Sequence, residues 1–296
     1  MDIRRLSYFL AVADHGSFTG AANAIFVSQP AVSLAVKELE QELGAKLFHR
    51  LGRRVTLTPA GEALVEPARR ALRDIEVGTV AVTAVAGLIA GHLDLCCLPT
   101  LAAHPGADLI GRFRRRYPGV SVNMAAADDP ADLGGRLRSG RCELGITESA
   151  TVAGELQCDV LMDQSLAVVM PPGTASHALP VSLSRLRGTP FVTTPAGTST
   201  RRLLDEAFAA AGVEVEVVVV TAQREALLPL VLAGAGATLL PEPIAQTAAA
   251  RGAVIVRPSP AIRRTVVLAH RHGSLSPAAS AFAKLSLPAA STPQRA

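Results

Sequence analysis

Between Ser17 and Gly44 the chain writes a short helix, a tight turn and a second helix that opens Ser28-Gln29-Pro30. Few folds accept that order. Ser17 and Thr19 offer caps for the short helix, whose small packing face is Ala21, Ala22 and Ile25. Ser28 is placed to cap the next helix, with Pro30 in its first turn, where a missing N–H costs little. Val32, Val36, Leu39 and Leu43 then recur at helical spacing and predict its buried stripe. Gly44 follows where a left-handed residue ends a helix. Two short helices joined by a tight turn, the second with a polar outer face, form a helix-turn-helix.

That outer face carries Gln29, Ser33 and Lys37, with Pro30 and Leu34 beside them. Gln can bond adenine bidentately in the major groove, Ser can serve either base, and Lys can reach guanine or phosphate. Upstream, Asp2 can cap a helix with Leu6, Phe9, Leu10 and Ala13 on its apolar face, ending at Gly16. Downstream, Leu47 to Thr58 alternates around a Gly turn and reads as a β-hairpin wing. The wing holds Arg50, Arg53 and Arg54, a set suited to clamping phosphate. A generic three-helix bundle would show the same stripes and caps. The wing arginines and the Gln-Pro helix start are what favour DNA, because residues 1–58 hold seven basic side chains against five acidic ones.

Net charge alone decides little: 29 Lys+Arg against 25 Asp+Glu leave +4 over 296 residues. With 3% aromatics and no Trp, an aromatic-rich stacking platform for single strands is not expected. A hydrophobic share of 49% and length for about two domains describe a globular chain, not a disordered one. No secretory signal opens the sequence, and its uncharged stretches fall short of the ~18 apolar residues that span a bilayer. A cytoplasmic protein without membrane contact is expected. Cys96, Cys97, Cys142 and Cys158 form no CxxC and no extracellular framework, which fits reduced thiols.

From Pro59 a long helix is predicted, with Leu64, Ala68, Leu72, Ile75, Thr79 and Val82 at coiled-coil-like spacing. It can pack on its own domain or join two subunits. Residues 92–296 alternate strands and helices, the mark of α/β architecture. The pattern restarts after Gln164, and Arg264–His270 reads as a strand returning to the first half. Two lobes of that kind hold ligands beyond the carboxyl ends of their strands.

The run from Ser17 to Gly44, with Leu47-Phe-His-Arg50 and Leu57-Thr-Pro-Ala-Gly61, resembles the LysR-type transcriptional regulators. Weaker echoes are Phe113-Arg-Arg-Arg-Tyr-Pro-Gly119, Glu143-Leu-Gly-Ile146 and Gly197-Thr-Ser-Thr-Arg201. The resemblance implies an α/β chain in three parts. These are a winged helix-turn-helix over 1–58, a dimerising linker helix over 59–90 and a periplasmic-binding-protein-like effector domain over 91–296. Lobe I of that domain would take about 91–163 and 265–296, and lobe II about 164–264. It also implies a homo-oligomer, typically a tetramer, that binds double-stranded promoter DNA and answers to a small molecule in the cleft.

Carried onto this sequence, the family's recognition positions fall on Ser28, Gln29, Pro30, Ser33, Leu34 and Lys37, and its wing on Arg50, Arg53 and Arg54. Leu34 departs from the polar residue usual there and restricts that contact to an apolar one, such as a thymine methyl. The family's ligand loops match Thr100, Leu101, Thr147-Glu148, Thr198, Ser199, Thr200, Thr221 and Gln223. Helix N-termini and hydroxyl donors there point to a small anionic effector such as a carboxylate, though ordinary capping by Thr100, Ser199 and Thr200 would use the same residues.

Catalytic readings find no support, since no P-loop, HExxH or GxSxG occurs and Gly234-Ala-Gly-Ala-Thr238 lacks the third glycine of a dinucleotide loop. Neither a cofactor nor a metal is expected, with His270 and His272 read as solvated surface residues. Cys142 and Cys158 do not match the family's peroxide-sensing pair, because no Cys lies between Thr198 and Phe208, and are expected to be buried and inert. The competing functions are a constitutive DNA binder without effector and, more distantly, a ligand-binding protein or enzyme with a repurposed N-terminal bundle.

Overall fold

The computed structural model describes residues 2–51, 54–84, 91–149, 156–175 and 180–287. They fall into two compact units, one built on residues 1–90 and one on the chain from Gly91 onward.

The first unit comprises α1 (Ile3–His15), α2 (Phe18–Ala24), α3 (Gln29–Leu43), a hairpin of β1 (Phe48–Leu51) and β2 (Arg54–Leu57), and α4 (Pro59–Ala84). Asp2 caps α1 through the Arg4 N–H, and Ser17 caps α2 through the Gly20 N–H. Ser28 precedes α3 as expected, but its hydroxyl makes no capping bond. Phe9, Val12, Ala21, Val32, Val36, Leu39 and Leu47 make the core, with Phe48 ringed by Phe9 and Phe18 at 5.4 and 5.9 Å.

The stripe on α3 departs from expectation at its end. Leu43 is 41% exposed, while Glu40 is buried in its place. Glu40 instead holds the junction between α3 and the segment that opens the hairpin. Its Oε1 accepts from the Leu47 N–H at 2.9 Å, and its Oε2 meets Lys46 Nζ at 2.7 Å.

α2 ends in an unusual turn. The Val27 N–H donates to the Ala22 carbonyl at 3.0 Å, which places Phe26 in the left-handed position at φ 55°. That backbone suits Gly or Asn and costs a bulky residue roughly 1–2 kcal/mol. Farther on, Gly61 lies so close to β1 that a Cβ there would strike the Leu47 carbonyl.

The N-terminal half of the α4 seam is used inside its own unit: Leu64, Ala68 and Leu72 pack on the core. Ile75, one step farther, is exposed. α4 runs on through Pro67, which lacks the N–H for one helical bond. The side chains of Thr79 and Val82 lie outside the described residues.

The second unit begins with β3 (Gly91–Cys97), α5 (Pro99–Leu101), a π-turn (Ala102–Gly106) and α6 (Ala107–Arg116). β4 (Val120–Ala126), α7 (Pro130–Arg138), β5 (Leu144–Glu148) and the long β6 (Leu156–Met170) follow. Next come β7 (Val181–Ser182), β8 (Pro190–Thr193), α8 (Ser199–Ala210) and β9 (Glu216–Val220). α9 (Leu227–Leu232), β10 (Thr238–Pro241), α10 (Glu242–Ala249), β11 (Val254–Val256) and β12 (Pro258–Ser259) lead to β13 (Ile262–Arg271) and α11 (Pro277–Ser286).

One sheet runs β10-β6-β13-β5-β3-β4, with β11 also on β6, and β8 pairs β9 in parallel beside it. β6 and β13 are antiparallel along their whole length, so both pass through both lobes. The sequence predicts only the apolar run Leu166–Met170 as strand; β6 begins ten residues earlier, at Leu156, through a stretch that is mostly exposed or half-buried.

Candidate functional site

α3 presents the expected reading face. Ser28, Gln29, Pro30, Leu34 and Lys37 are exposed and Ser33 is half-buried, while Val32, Val36 and Leu39 face the core. Val32 and Val36 fix the rotation of the helix, which leaves Gln29, Ser33 and Lys37 on a flank about 90° around from the buried stripe. Between α3 and the hairpin lies a concavity of about 450 Å³ lined by Ser33, Lys37, Glu40, Lys46 and Phe48. Lys46, which sequence reasoning did not single out, is 75% exposed at its rim. Two lysines thus flank a hollow beside α3, Lys46 paired there with Glu40 and Lys37 exposed. Arg50 and Arg54 belong to the hairpin strands, but their side chains lie outside the described residues, as does Arg53 altogether.

Glu40 fixes this geometry. Burial works to raise its pKa, but bonds from Lys46 and from the N–H groups of Leu47 and Phe48 outweigh it and hold the carboxyl below the usual range. Glu40 therefore stays ionised and anchors the start of the wing to the recognition helix.

In the second unit the geometry gathers only some of the expected ligand residues. Thr100 and Ser199 converge on a residue the sequence did not flag, the buried Arg264 of β13. Its Nε and Nη2 donate to Gln164 Oε1 at 2.8 and 2.5 Å. Nη1 and Nη2 reach Thr100 Oγ at 3.3 and 3.2 Å, and Nη1 reaches Ser199 Oγ at 3.3 Å. Each of these bonds ends on a neutral oxygen. Burial pushes the guanidinium down to about 10, and the Glu148 carboxylate pulls the other way, so it is still cationic at neutral pH.

Glu148 closes the same cluster. Its Oε2 accepts from Ser199 Oγ at 2.9 Å and its Oε1 from Arg202 Nη2 at 2.5 Å. Arg202 also bonds Glu206 at 2.9 Å. The alternation of β13 carries the signal that locates Arg264: Ile262 and Val266 point inward, and Arg264 shares their side.

The capping account does not hold. Thr198 precedes α8 without a capping bond, its hydroxyl instead meeting Thr194 Oγ at 2.6 Å and the Pro195 carbonyl at 2.8 Å. Ser199 donates to Glu148, and Thr100 accepts from Arg264. Thr200 is buried, and Leu101 is wholly so. The Thr147 hydroxyl is buried with no partner among the described residues. Thr221 accepts from the Gln223 N–H at 3.1 Å, and Gln223 is exposed.

A second hollow of about 290 Å³ opens at the start of α8, lined by Asp128, Asp129, Pro195 to Thr198, Ala222 and Arg224. Arg224 bridges it, donating to the Asp128 carbonyl at 3.3 Å.

Two expectations outside the cleft need correction. Cys158 is exposed, and the neighbour of Cys142 is Cys96, whose thiol is pushed up by a hydrogen bond with Cys142 and by burial. The exposed residues of β6 near its start carry Cys158 to the surface. His270 is likewise buried, Nδ1 2.8 Å from the Arg271 carbonyl and Nε2 3.4 Å from Asp159, because β13 is central in its sheet. Among the described residues no cluster of three metal-ligating side chains occurs, and no helix is long and apolar enough to cross a membrane.

Comparison with known proteins matches both units. The family described as LysR substrate binding domain matches residues 86–290, and the bacterial regulatory helix-turn-helix protein, lysR family, matches residues 3–62. The transcriptional activator protein LysR of Escherichia coli is 30% identical over 272 residues, 90% of this chain and 86% of that protein. The uncharacterised HTH-type transcriptional regulator YfeR of Shigella flexneri is 29% identical over 283 residues, 95% and 91%. Full-length CbnR complexed with its target DNA has the same fold, with a TM-score of 0.67 at 22% identity over 97% of this chain and 99% of that one.

Proposed function

The chain belongs to the LysR-type transcriptional regulators, and from that premise we propose that it is a homo-oligomeric promoter-binding protein answering to a small carboxylate. It carries a DNA-binding helix-turn-helix and an effector-binding domain, and its relatives regulate transcription rather than catalyse reactions. Gln29, Ser33 and Leu34 read base edges, Pro30 lets the helix start close to the groove, and Lys37, Lys46 and the wing arginines Arg50, Arg53 and Arg54 take phosphates. Ile75, exposed on the α4 seam, supplies a subunit contact, as part of a tetramer.

Arg264 carries the effector assignment. A buried guanidinium whose hydrogen bonds end on neutral oxygens has capacity for a bidentate carboxylate, and Thr100 and Ser199 are already within its reach. A carboxylate entering there replaces long contacts to neutral hydroxyls with a paired anion. Thr147, Thr198, Thr200, Thr221 and Gln223 would line or flank its path.

Two measurements test this reading. A mobility-shift titration with DNA from upstream of the protein's own gene, at two salt concentrations, should show retention that weakens with salt and in Gln29→Ala. A thermal-shift panel of small carboxylates should raise the Tm of the wild type and leave Arg264→Met unmoved. Stabilisation only by neutral or cationic compounds removes the carboxylate. A constitutive regulator is the second reading, favoured by the way Gln164, Thr100 and Ser199 already occupy Arg264; DNA retention with no stabilisation by any compound would establish it.

A further inference from the structure

The turn of the helix-turn-helix carries a residue unfavourable on both counts that a free protein minimises. Phe26 adopts φ 55°, the non-glycine positive φ among the described residues, at the helix-ending position that Gly or Asn suits best. Its ring is also 95% exposed, far above Leu34 at 57%, Ile3 at 51% or Val220 at 55%. The apolar residue that such a turn uses for packing is the next one, Val27, which lies against the core with Ile25. Phe26 therefore contributes nothing to its own domain that Asn or Gly would not provide better. Backbone held in a disfavoured region clusters at functional sites, and here it carries a large apolar side chain into water.

The position identifies the partner. Phe26 stands two residues before Ser28 and three before Gln29, where α3 begins. In a helix-turn-helix that end of the recognition helix enters the major groove. Phe26 lies in the turn that leads directly into α3, and Leu34 supplies a second exposed apolar side chain, on α3 itself. The apolar group displayed in a major groove is the thymine 5-methyl, which Phe recognises by contact. We propose that Phe26 is a specificity-determining residue that packs its ring on a thymine methyl at the edge of each half-site. This rests on α3 being the DNA-reading helix.

The experiment uses the full-length protein and a duplex selected from randomised oligonucleotides for tightest binding. Each thymine of that duplex is replaced in turn by uracil, which removes only the methyl. Affinities are measured for wild type, Phe26→Asn and Gln29→Ala. At one thymine per half-site, uracil should weaken the wild type about fourfold, the value of one methyl-sized group. The same replacement should leave Phe26→Asn nearly unchanged, while Phe26→Asn binds the thymine duplex several-fold less well than wild type. Its Tm should equal or exceed that of wild type, because Asn takes the left-handed backbone more readily. A thymine-to-uracil loss of the same size in both proteins overturns the proposal, as does undiminished binding by Phe26→Asn. A selection that recovers no preferred duplex removes the DNA-reading assignment itself, an outcome separate from these.

Discussion

Glu40 Oε1 accepts a hydrogen bond from the Leu47 backbone N–H at 2.9 Å, joining the recognition helix to the first residue of the wing segment. α3 and the segment that opens the hairpin are thereby held together by a buried carboxylate. Replacing Glu40 with Ala leaves the Leu47 N–H unpaired in the core, which should cost about 1–3 kcal/mol of stability. Thermal unfolding of the variant checks this, and DNA affinity should fall with it.

The same carboxylate sets an acid limit. Its pKa is lowered in the folded chain, so the folded state binds fewer protons than the unfolded one between the lowered value and about 4.3. The stability it contributes is complete above the unfolded pKa and is lost as pH falls through the folded one. Denaturant titrations between neutrality and pH 3 should show a steeper acid decline for wild type than for Glu40→Gln.

Base and phosphate contacts should separate in their salt behaviour. Gln29→Ala should cost about 1–3 kcal/mol on the selected duplex and relax preference at one base pair. Lys37→Ala should weaken all duplexes alike and reduce the slope of log affinity against log salt by about 0.9. Mobility shifts over a salt series distinguish the two. An identical pattern for both variants would contradict the division of labour on α3.

Thiol reactivity should follow burial. Cys158 is exposed, whereas Cys96, Cys97 and Cys142 are buried, with the Cys96 and Cys97 thiols pushed well up. An alkylating reagent should modify one thiol in the native protein and four after denaturation. Cys158→Ser should abolish the native reaction.

Arg264→Met should abolish stabilisation by carboxylates while the unliganded fold survives. Glu148 keeps Ser199 and Arg202, and the removed cation had only neutral hydrogen-bond partners. Calorimetry of the two proteins with and without a stabilising carboxylate gives the comparison.

The DNA-reading unit was legible because its signals are local. Caps at Asp2 and Ser17, the left-handed Gly44 and the stripe Val32–Val36–Leu39 each act within a few residues. The stripe misled at Leu43, since Glu40 is drawn inward by Lys46 and Leu47, a tertiary pairing that periodicity does not register. The effector cleft was legible in outline only. Its loops align with the family, yet Arg264 lies 100 residues from Gln164 and 164 from Thr100, and a contact at that separation leaves no spacing to read. What remained visible was an arginine on the inward side of an alternating strand.

β6 and β13 have a mechanical consequence. Arg264 pairs with Gln164 and Thr265 with Asp163, so the passage between lobes is made inside a continuous ladder. One residue later the register shifts between Val266 and Val267, leaving Leu161 as an extra residue on β6. Bulges sharpen the right-handed twist of a strand pair. Any rotation of one lobe on the other would therefore twist the β6–β13 pair close beside Arg264.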